Sequence, residues 1–413
     1  MKKLLSEVLN NIKPNKQYKK EILDKANSII KKINKGVKDA KAILGGSGAK
    51  GTWLKTFDAD IFVKFNYNKF KDRSDELSDI LEKFLKKRFK IRRLHGSRDY
   101  FQIKQGKFTF EVIPILDIKK AEQAKNITDV SPLHSNFILR HKNLIDDMRL
   151  TKQFFKAAKV YGAESYIHGF SGYVCELLTI YYGSFINCIK ALSKIKEKTV
   201  IDIKNYYKNK NVFLEINRSK LTSPLIVIDP TQKDRNAAAA LDHEKLDILR
   251  YRAKEFLKKP SKEFFEIKVL TEQSIRKKFQ KNSLIMLKAK PLNKKEDVAG
   301  AKMLKALHFI EKKLISNNFK VIESDMLWHV KANSLFYYVL ENIKLPKTIE
   351  LPGPPLQVKY HVALFKKAHK KTFIKNKKIF AIEKRKFTNP RDLVKNIIKI
   401  PNVKDNVKNI QLI

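Results

Sequence analysis

The residues with the clearest chemical potential are Gly46 and Ser47, followed by Asp58 and Asp60 and, further along, Glu111. A Gly-Ser turn entering a helix presents backbone N–H groups to phosphate. Three carboxylates brought to one sheet edge would offer hard oxygen ligands of the kind Mg²⁺ prefers. Two Mg²⁺ ions held in this way lower the pKa of an attacking hydroxyl and neutralise charge on an α-phosphate and a departing pyrophosphate, which is nucleotidyl transfer. Each part has a plain alternative, since Gly-Ser turns are common and paired aspartates usually only face water. Their order is the informative feature: neither turn chemistry nor solvation requires Asp-x-Asp on a strand about ten residues after Gly-Ser.

Those side chains must be positioned by a small α/β unit. Between Asn15 and Ile33, the apolar residues Ile22, Leu23, Ala26, Ile29, Ile30 and Ile33 share one helical face. Ala42 to Leu44 form a strand running into the glycine turn. From Asp58 to Phe65 the alternation predicts an extended segment with Asp58 and Asp60 on one face. Ser74 is expected to cap a helix carrying Leu77, Ile80, Leu81, Phe84 and Leu85. Two strands, Phe101 to Ile103 and Lys107 to Ile113, flank Gln105 and Gly106, with Glu111 opposite the face of Phe108, Phe110 and Val112.

Leu144 to Leu257 reads as mainly helical, with a densely apolar stretch from Gly169 to Gly183. Past Phe264 the pattern changes to strands, a long helix around Lys302 to Leu314, and strands at Lys320 to Val330 and Leu335 to Leu340, as in a small α+β domain over an antiparallel sheet. Residues 366–386 hold ten basic residues and one acid, Glu383. They either line RNA or form a solvated amphipathic face.

With 413 residues and 43% hydrophobic content, the chain can build more than one core. Its 88 Lys plus Arg against 42 acidic residues leave a formal charge of +46. Codon bias can enrich lysine, but this excess is more than solubility needs, and a polyanion such as nucleic acid would supply the missing counter-charge. Cys175 and Cys188 lack metal-ligand spacing and read as reduced core residues. The polar N-terminus and the absence of a spanning apolar run point to a cytoplasmic protein with no membrane partner.

Four separated stretches resemble the archaeal (class I) CCA-adding enzymes of the DNA polymerase β-like superfamily. They are GSGAKGTWL from Gly46 to Leu54, VYGAESYIHGFSGYVCELL from Val160 to Leu178, Asp229-Pro230 followed by Asp234-Arg235-Asn236-Ala237-Ala238, and Gly353-Pro354-Pro355 ahead of His361. The resemblance implies an α+β multidomain protein with a polymerase β-like head, a helical central domain and a ferredoxin-like (RRM-like) tail domain. The boundaries expected are 1–143, 144–262 and 263–350, with 351–413 a basic segment contacting RNA or packing back on the body. It further implies a homodimer that uses CTP, ATP and Mg²⁺ to add C, C and A to the 3′ end of tRNA.

Carried over by position, the resemblance makes Asp58, Asp60 and Glu111 the metal ligands and catalytic carboxylates. It places Ser47 and Lys50 on the nucleotide's phosphates and makes His134, Lys152 and Tyr161 further nucleotide contacts. Arg235 aligns with an arginine that helps select the base. The chain departs from the family pattern in having Lys50 for arginine, Glu111 for a third aspartate, and one residue fewer between Leu54 and Asp58. An RNA-binding protein with an inactive head, or a related poly(A) or partial-CCA nucleotidyltransferase, is the alternative reading.

Overall fold

A computed structural model describes residues 1–55, 59–280, 283–329, 332–341 and 344–413. The chain divides into two units, Met1–Lys268 and Val269–Ile413. The first contains a mixed sheet of strands β1 (Ala40–Leu44), β2 (Ala59–Asn66), β3 (Ile91–Leu94), β4 (Tyr100–Gln105) and β5 (Phe108–Asp117), in the order β1-β2-β5-β4-β3. Only the β2–β5 pair is parallel.

Strand alternation separates this sheet's two faces. Ile61, Val63 and Phe65 of β2 and Phe108, Phe110 and Val112 of β5 pack with Ile22, Ala26, Ile29 and Ile33 of helix Lys16–Asn34 and with Leu77, Leu81 and Leu85 of helix Leu77–Lys86. Asp60 and Glu111 alternate with these residues and therefore lie on the opposite face. Asn15 caps the first of the two helices, its side chain accepting from the Tyr18 N–H. Ser74 instead begins a 3₁₀ turn, Ser74–Glu76, and makes no cap to helix Leu77–Lys86. The extra turn shifts the N-cap from Ser74 to Glu76, two residues along.

A second core in the same unit gathers helices Ile145–Ala157, Gly172–Tyr182, Phe185–Leu192 and His243–Lys258. Its centre is aromatic: Phe154, Phe185, Phe256 and Phe265 meet mostly edge-to-face, with centroids 5.5 to 5.8 Å apart. Cys175 and Cys188 are buried in it as free thiols.

Helix Lys2–Ile12 also delivers Val8 and Ile12 to this core, so the chain's start packs with the helical part rather than with the sheet. Phe264 and Phe265 pack there too, which carries the unit past the boundary expected at 262. The stretch read as mainly helical also contains three strands: β6 (Thr199–Asp202), β7 (Leu225–Asp229) and β8 (Gln232–Asn236). Every residue of β7 is buried, so its LIVID run carries no alternation to mark it as a strand.

The second unit contains a four-stranded antiparallel sheet in the order β10-β11-β9-β15, from β9 (Ser283–Lys290), β10 (Val321–Leu327), β11 (Ser334–Leu340) and β15 (Asn409–Leu412). Helix Glu296–Ser316 separates β9 from β10, and helix Pro390–Ile397 precedes β15. This is the ferredoxin-like βαββαβ topology. Its last helix and strand come after an inserted three-stranded sheet of β12 (Thr348–Pro355), β13 (Thr372–Lys375) and β14 (Lys378–Lys384). The ferredoxin-like fold therefore extends beyond the expected boundary at 350, because Leu393, Val394 and Ile397 belong to its core. Gly353 is fixed by packing: a Cβ there would lie 2.8 Å from Ile379 and from the Phe365 ring.

Candidate active site

The site forms where β1 ends. The Gly45 N–H donates to the Asp60 carbonyl at 2.7 Å, and the chain then turns into the short helix Gly46–Lys50. Gly46 has φ +52°, and a Cβ there would sit 1.6 Å from Asp60 Oδ2. The glycine thus serves two purposes, adopting a left-handed backbone and leaving room for the carboxylate.

Asp60 and Glu111 are in-register partners on the parallel strands β2 and β5. Residues paired in this way project from the same face. Gln102, opposite Glu111 on β4, donates to Glu111 Oε1 at 3.0 Å and orients that carboxylate. Both carboxylates line a cavity of about 440 Å³, together with Gly46, Lys50, Arg98, Tyr100, His134 and Tyr173 among others. That volume suits a ligand of nucleotide size. Arg98 is held by the buried Asp129, which also accepts the N–H groups of Leu116 (2.9 Å), Lys125 (3.1 Å) and Asn126 (2.9 Å).

Two buried carboxylates organise the far wall. Glu176, fully buried on helix Gly172–Tyr182, accepts from Lys50 Nζ at 2.7 Å, Lys152 Nζ at 2.5 Å and Thr52 Oγ1 at 2.5 Å. Burial works to raise its carboxyl, but the charges of Lys152 and Lys50 prevail and hold it at about 2. Asp229, at the end of β7, meets His134 Nε2 at 3.0 Å and Tyr173 Oη at 3.2 Å, and is paired with Arg235. Its burial likewise works upward, while the hydrogen bond and charge of His134, with Arg235, hold its carboxyl well below the usual range. The His134 and Tyr173 rings stack at 4.1 Å and 25°.

Of the residues expected from sequence, Asp60, Glu111, Lys50 and His134 line the cavity together. Ser47 lies on the same short helix as Lys50 but not on the cavity wall. Lys152 is 4% exposed and sits behind Lys50, bonded to Glu176 and to Thr52 Oγ1 at 2.9 Å. Tyr161 is also set back, its hydroxyl packed so closely on Gly172 that a Cβ there would be 2.7 Å away. Arg235 joins the site through Asp229. Asp58 lies outside the described residues. Sequence reasoning passed over Glu176, Tyr173 and Arg98, and gave Asp229 no role. A lone Glu within an otherwise apolar helix, CELLTI, is the signal that could have pointed to Glu176.

Among the described residues, no group of three His, Cys, Asp or Glu side chains stands ready to hold a metal. The in-register Asp60–Glu111 pair supplies two hard oxygen donors, and the missing Cβ of Gly46 leaves the Asp60 carboxylate its place. These features fit a divalent cation with further oxygen ligands from elsewhere.

Comparison with known proteins shows the family. Residues 146–266 match the family described as tRNA nucleotidyltransferase, second domain; residues 283–410 match the CCA-adding enzyme C-terminal domain. Residues 1–131 match the Second Messenger Oligonucleotide or Dinucleotide Synthetase domain. The CCA-adding enzyme of Methanocaldococcus jannaschii is 32% identical over 100% of this chain and 93% of its own length. The chain belongs to the CCA-adding enzymes. The Nanoarchaeum equitans enzyme of that name is 34% identical over 86% of this chain and 88% of its own length.

The polymerase β-like fold is shared with solved structures of low identity. The Cid1 poly(U) polymerase with Mg 3′-dATP bound aligns at TM-score 0.52 and 14% identity, covering 64% of this chain and 98% of that one. A cytoplasmic RNA terminal U-transferase aligns at 0.51 and 14%, over 65% and 98%. Membership of the CCA-adding family makes the chain a nucleotidyltransferase. No helix among the described residues is long and apolar enough to cross a membrane.

Proposed function

We propose that the 3′-hydroxyl of a tRNA attacks the α-phosphate of CTP, twice, and then of ATP, releasing pyrophosphate each time, in the cavity where Asp60 and Glu111 meet. The carrying observation is the placement of that carboxylate pair, in register and against Gly46, in one cavity with the cations Lys50 and Arg98. Asp60 and Glu111, with Asp58 as the third ligand, would hold Mg²⁺. When bound, Mg²⁺ supplies charge neutralisation at the α-phosphate and the pyrophosphate and acidifies the hydroxyl.

The chain's own residues do the rest by position and charge. Lys50 meets the triphosphate; Ser47, on the same turn, accompanies it. Lys152 and Tyr161 support this wall from behind. The stacked His134 and Tyr173 offer an aromatic surface for a nucleotide, and Asp229 holds Arg235 toward the base. Gln102 restrains the longer Glu111 side chain, which limits the displacement that an extra methylene would otherwise introduce. The ferredoxin-like unit grips the tRNA, and two copies of the chain assemble as a homodimer, which the sedimentation velocity of the purified protein will test.

Labelled CTP and ATP, supplied separately and together with tRNA lacking CCA, tRNA-C and tRNA-CC, test the reading. Two C additions followed by one A are expected. Tight tRNA binding with no incorporation in the presence of Mg²⁺ would leave the inactive-head alternative. Addition of a single base would make the chain a partial-adding enzyme.

A further inference from the structure

An ammonium group on a flexible four-carbon stem has many positions open to it, and few of them serve an incoming triphosphate. A guanidinium makes a planar fork that pairs with phosphate in a set geometry; an ammonium is a point charge and takes its direction from its neighbours. In this chain the neighbour is Glu176. Its Oε2 holds Lys50 Nζ at 2.7 Å, while its Oε1 is occupied by Lys152 Nζ and Thr52 Oγ1, both at 2.5 Å. Lys152 also donates to Thr52 Oγ1 at 2.9 Å, so the hydroxyl accepts from the ammonium and donates to the carboxylate.

Burial pulls the Lys152 ammonium below the usual lysine range against the attraction of Glu176, and while it stays protonated the charges in this cluster do not cancel. Two ammonium groups share one carboxylate, and of the three only Lys50 lines the cavity. Glu176 is fully buried and Lys152 is 4% exposed. A carboxylate paired with Lys50 alone would direct it and also remove its charge. With Lys152 behind it, Glu176 directs Lys50 and leaves one positive charge facing the cavity.

We propose that Glu176 is a positioning residue for nucleotidyl transfer: it aims Lys50 at the triphosphate of the incoming nucleotide, with Lys152 as its balancing cation and Thr52 tying the Gly46–Lys50 turn to helix Gly172–Tyr182. This rests on Lys50 meeting the triphosphate.

The test is steady-state kinetics with the full chain, using CTP on tRNA lacking CCA and ATP on tRNA-CC, with thermal unfolding and tRNA affinity measured on every variant. Glu176→Gln is expected to raise KM for both nucleotides about tenfold, to change kcat by less than about threefold, and to leave tRNA affinity unchanged, since a misplacement of an ångström at such a contact is felt. Lys50→Met raises KM as well, and Glu176→Gln added to it makes no further difference, because the two act as one unit. Glu176→Gln with Lys152→Met restores the charge balance, so it folds even if the single variant does not; its KM remains above that of Lys152→Met alone.

A purely structural Glu176 would give a different pattern. Its effect on KM would vanish in the Lys152→Met background, and only the melting temperature would have moved. That result overturns the proposal, as does a KM that falls in Glu176→Gln, which would mean that the carboxylate competes with the triphosphate. If Lys50→Met leaves KM unchanged, the phosphate role of Lys50 fails and the positioning role with it. An effect of Lys50→Met with none of Glu176→Gln removes the positioning role alone.

Discussion

Gly46→Ala puts the site's geometry to the most direct test. The new Cβ would lie 1.6 Å from Asp60 Oδ2, and ordinary contact begins near 3.4 Å, so the carboxylate or the turn must retreat by almost 2 Å. The backbone at φ +52° adds a left-handed strain of about 1–2 kcal/mol for a residue with a Cβ. A fold of ordinary stability absorbs that strain. Displacing a catalytic carboxylate by more than an ångström costs roughly 100-fold or more in rate, about 2.7 kcal/mol of transition-state stabilisation. The variant should therefore melt a few degrees lower, bind tRNA as the wild type does, and incorporate labelled CTP into tRNA lacking CCA at 1% of the wild-type kcat or less. Wild-type kcat in a folded Gly46→Ala protein would mean that Asp60 does not act from the position described, and would refute the assignment.

Asp60→Asn and Glu111→Gln should each abolish incorporation while tRNA affinity in a filter-binding assay stays within about twofold; retained turnover in either would remove that carboxylate from the site. Glu176, held at about 2 in the fold against an ordinary 4.5, contributes stability that is fully present above pH 4.5 and is lost as the pH falls toward 2. The urea midpoint should accordingly drop across that window, and the drop should be shallower in Glu176→Gln. Affinity for tRNA should fall about 10³-fold or more between 50 and 200 mM salt, as measured by fluorescence anisotropy, if phosphate contacts dominate. Gly353→Val should destabilise the inserted sheet by forcing a Cβ against Ile379 and Phe365, lowering the melting temperature while leaving CTP binding by the first unit unchanged.

The elements that could be read in advance are those with one wet face. Helix Lys16–Asn34 and strands β2 and β5 alternate between core and solvent, so their periods announce both the element and the side on which Asp60 and Glu111 stand. Strand β7 is buried on both faces and carries no such period. Helix Lys2–Ile12 is amphipathic, but amphipathicity says that a face is covered, not by which core. The expected head, 1–143, would include it with the sheet; the packing of Val8 and Ile12 gives the helical core.

The site divides in the same way. Asp60 and Glu111 were expected from their spacing, Lys50 and His134 from the family resemblance, and the four line one cavity. Glu176 was visible only as an acid in an apolar helix, and its partners are 126 and 24 positions away, a pairing that no local pattern encodes. Asp229 stood inside a recognised motif, yet its grip on His134 spans 95 positions and depends on where β7 ends.

The insertion within the ferredoxin-like unit has a consequence for how the chain comes off the ribosome. Strand β9 is flanked by β11 and β15, and Lys290 pairs with Asn409. At roughly 5–20 residues per second, synthesis leaves one side of β9 unpaired for something like ten seconds after β9 itself has been made. For that interval the apolar strand presents an open edge that a neighbouring nascent chain can extend. The three-stranded insert is complete before β15 is made, so the unit matures from its middle outward, and its last step is a β-strand sliding into a slot that has been waiting for it.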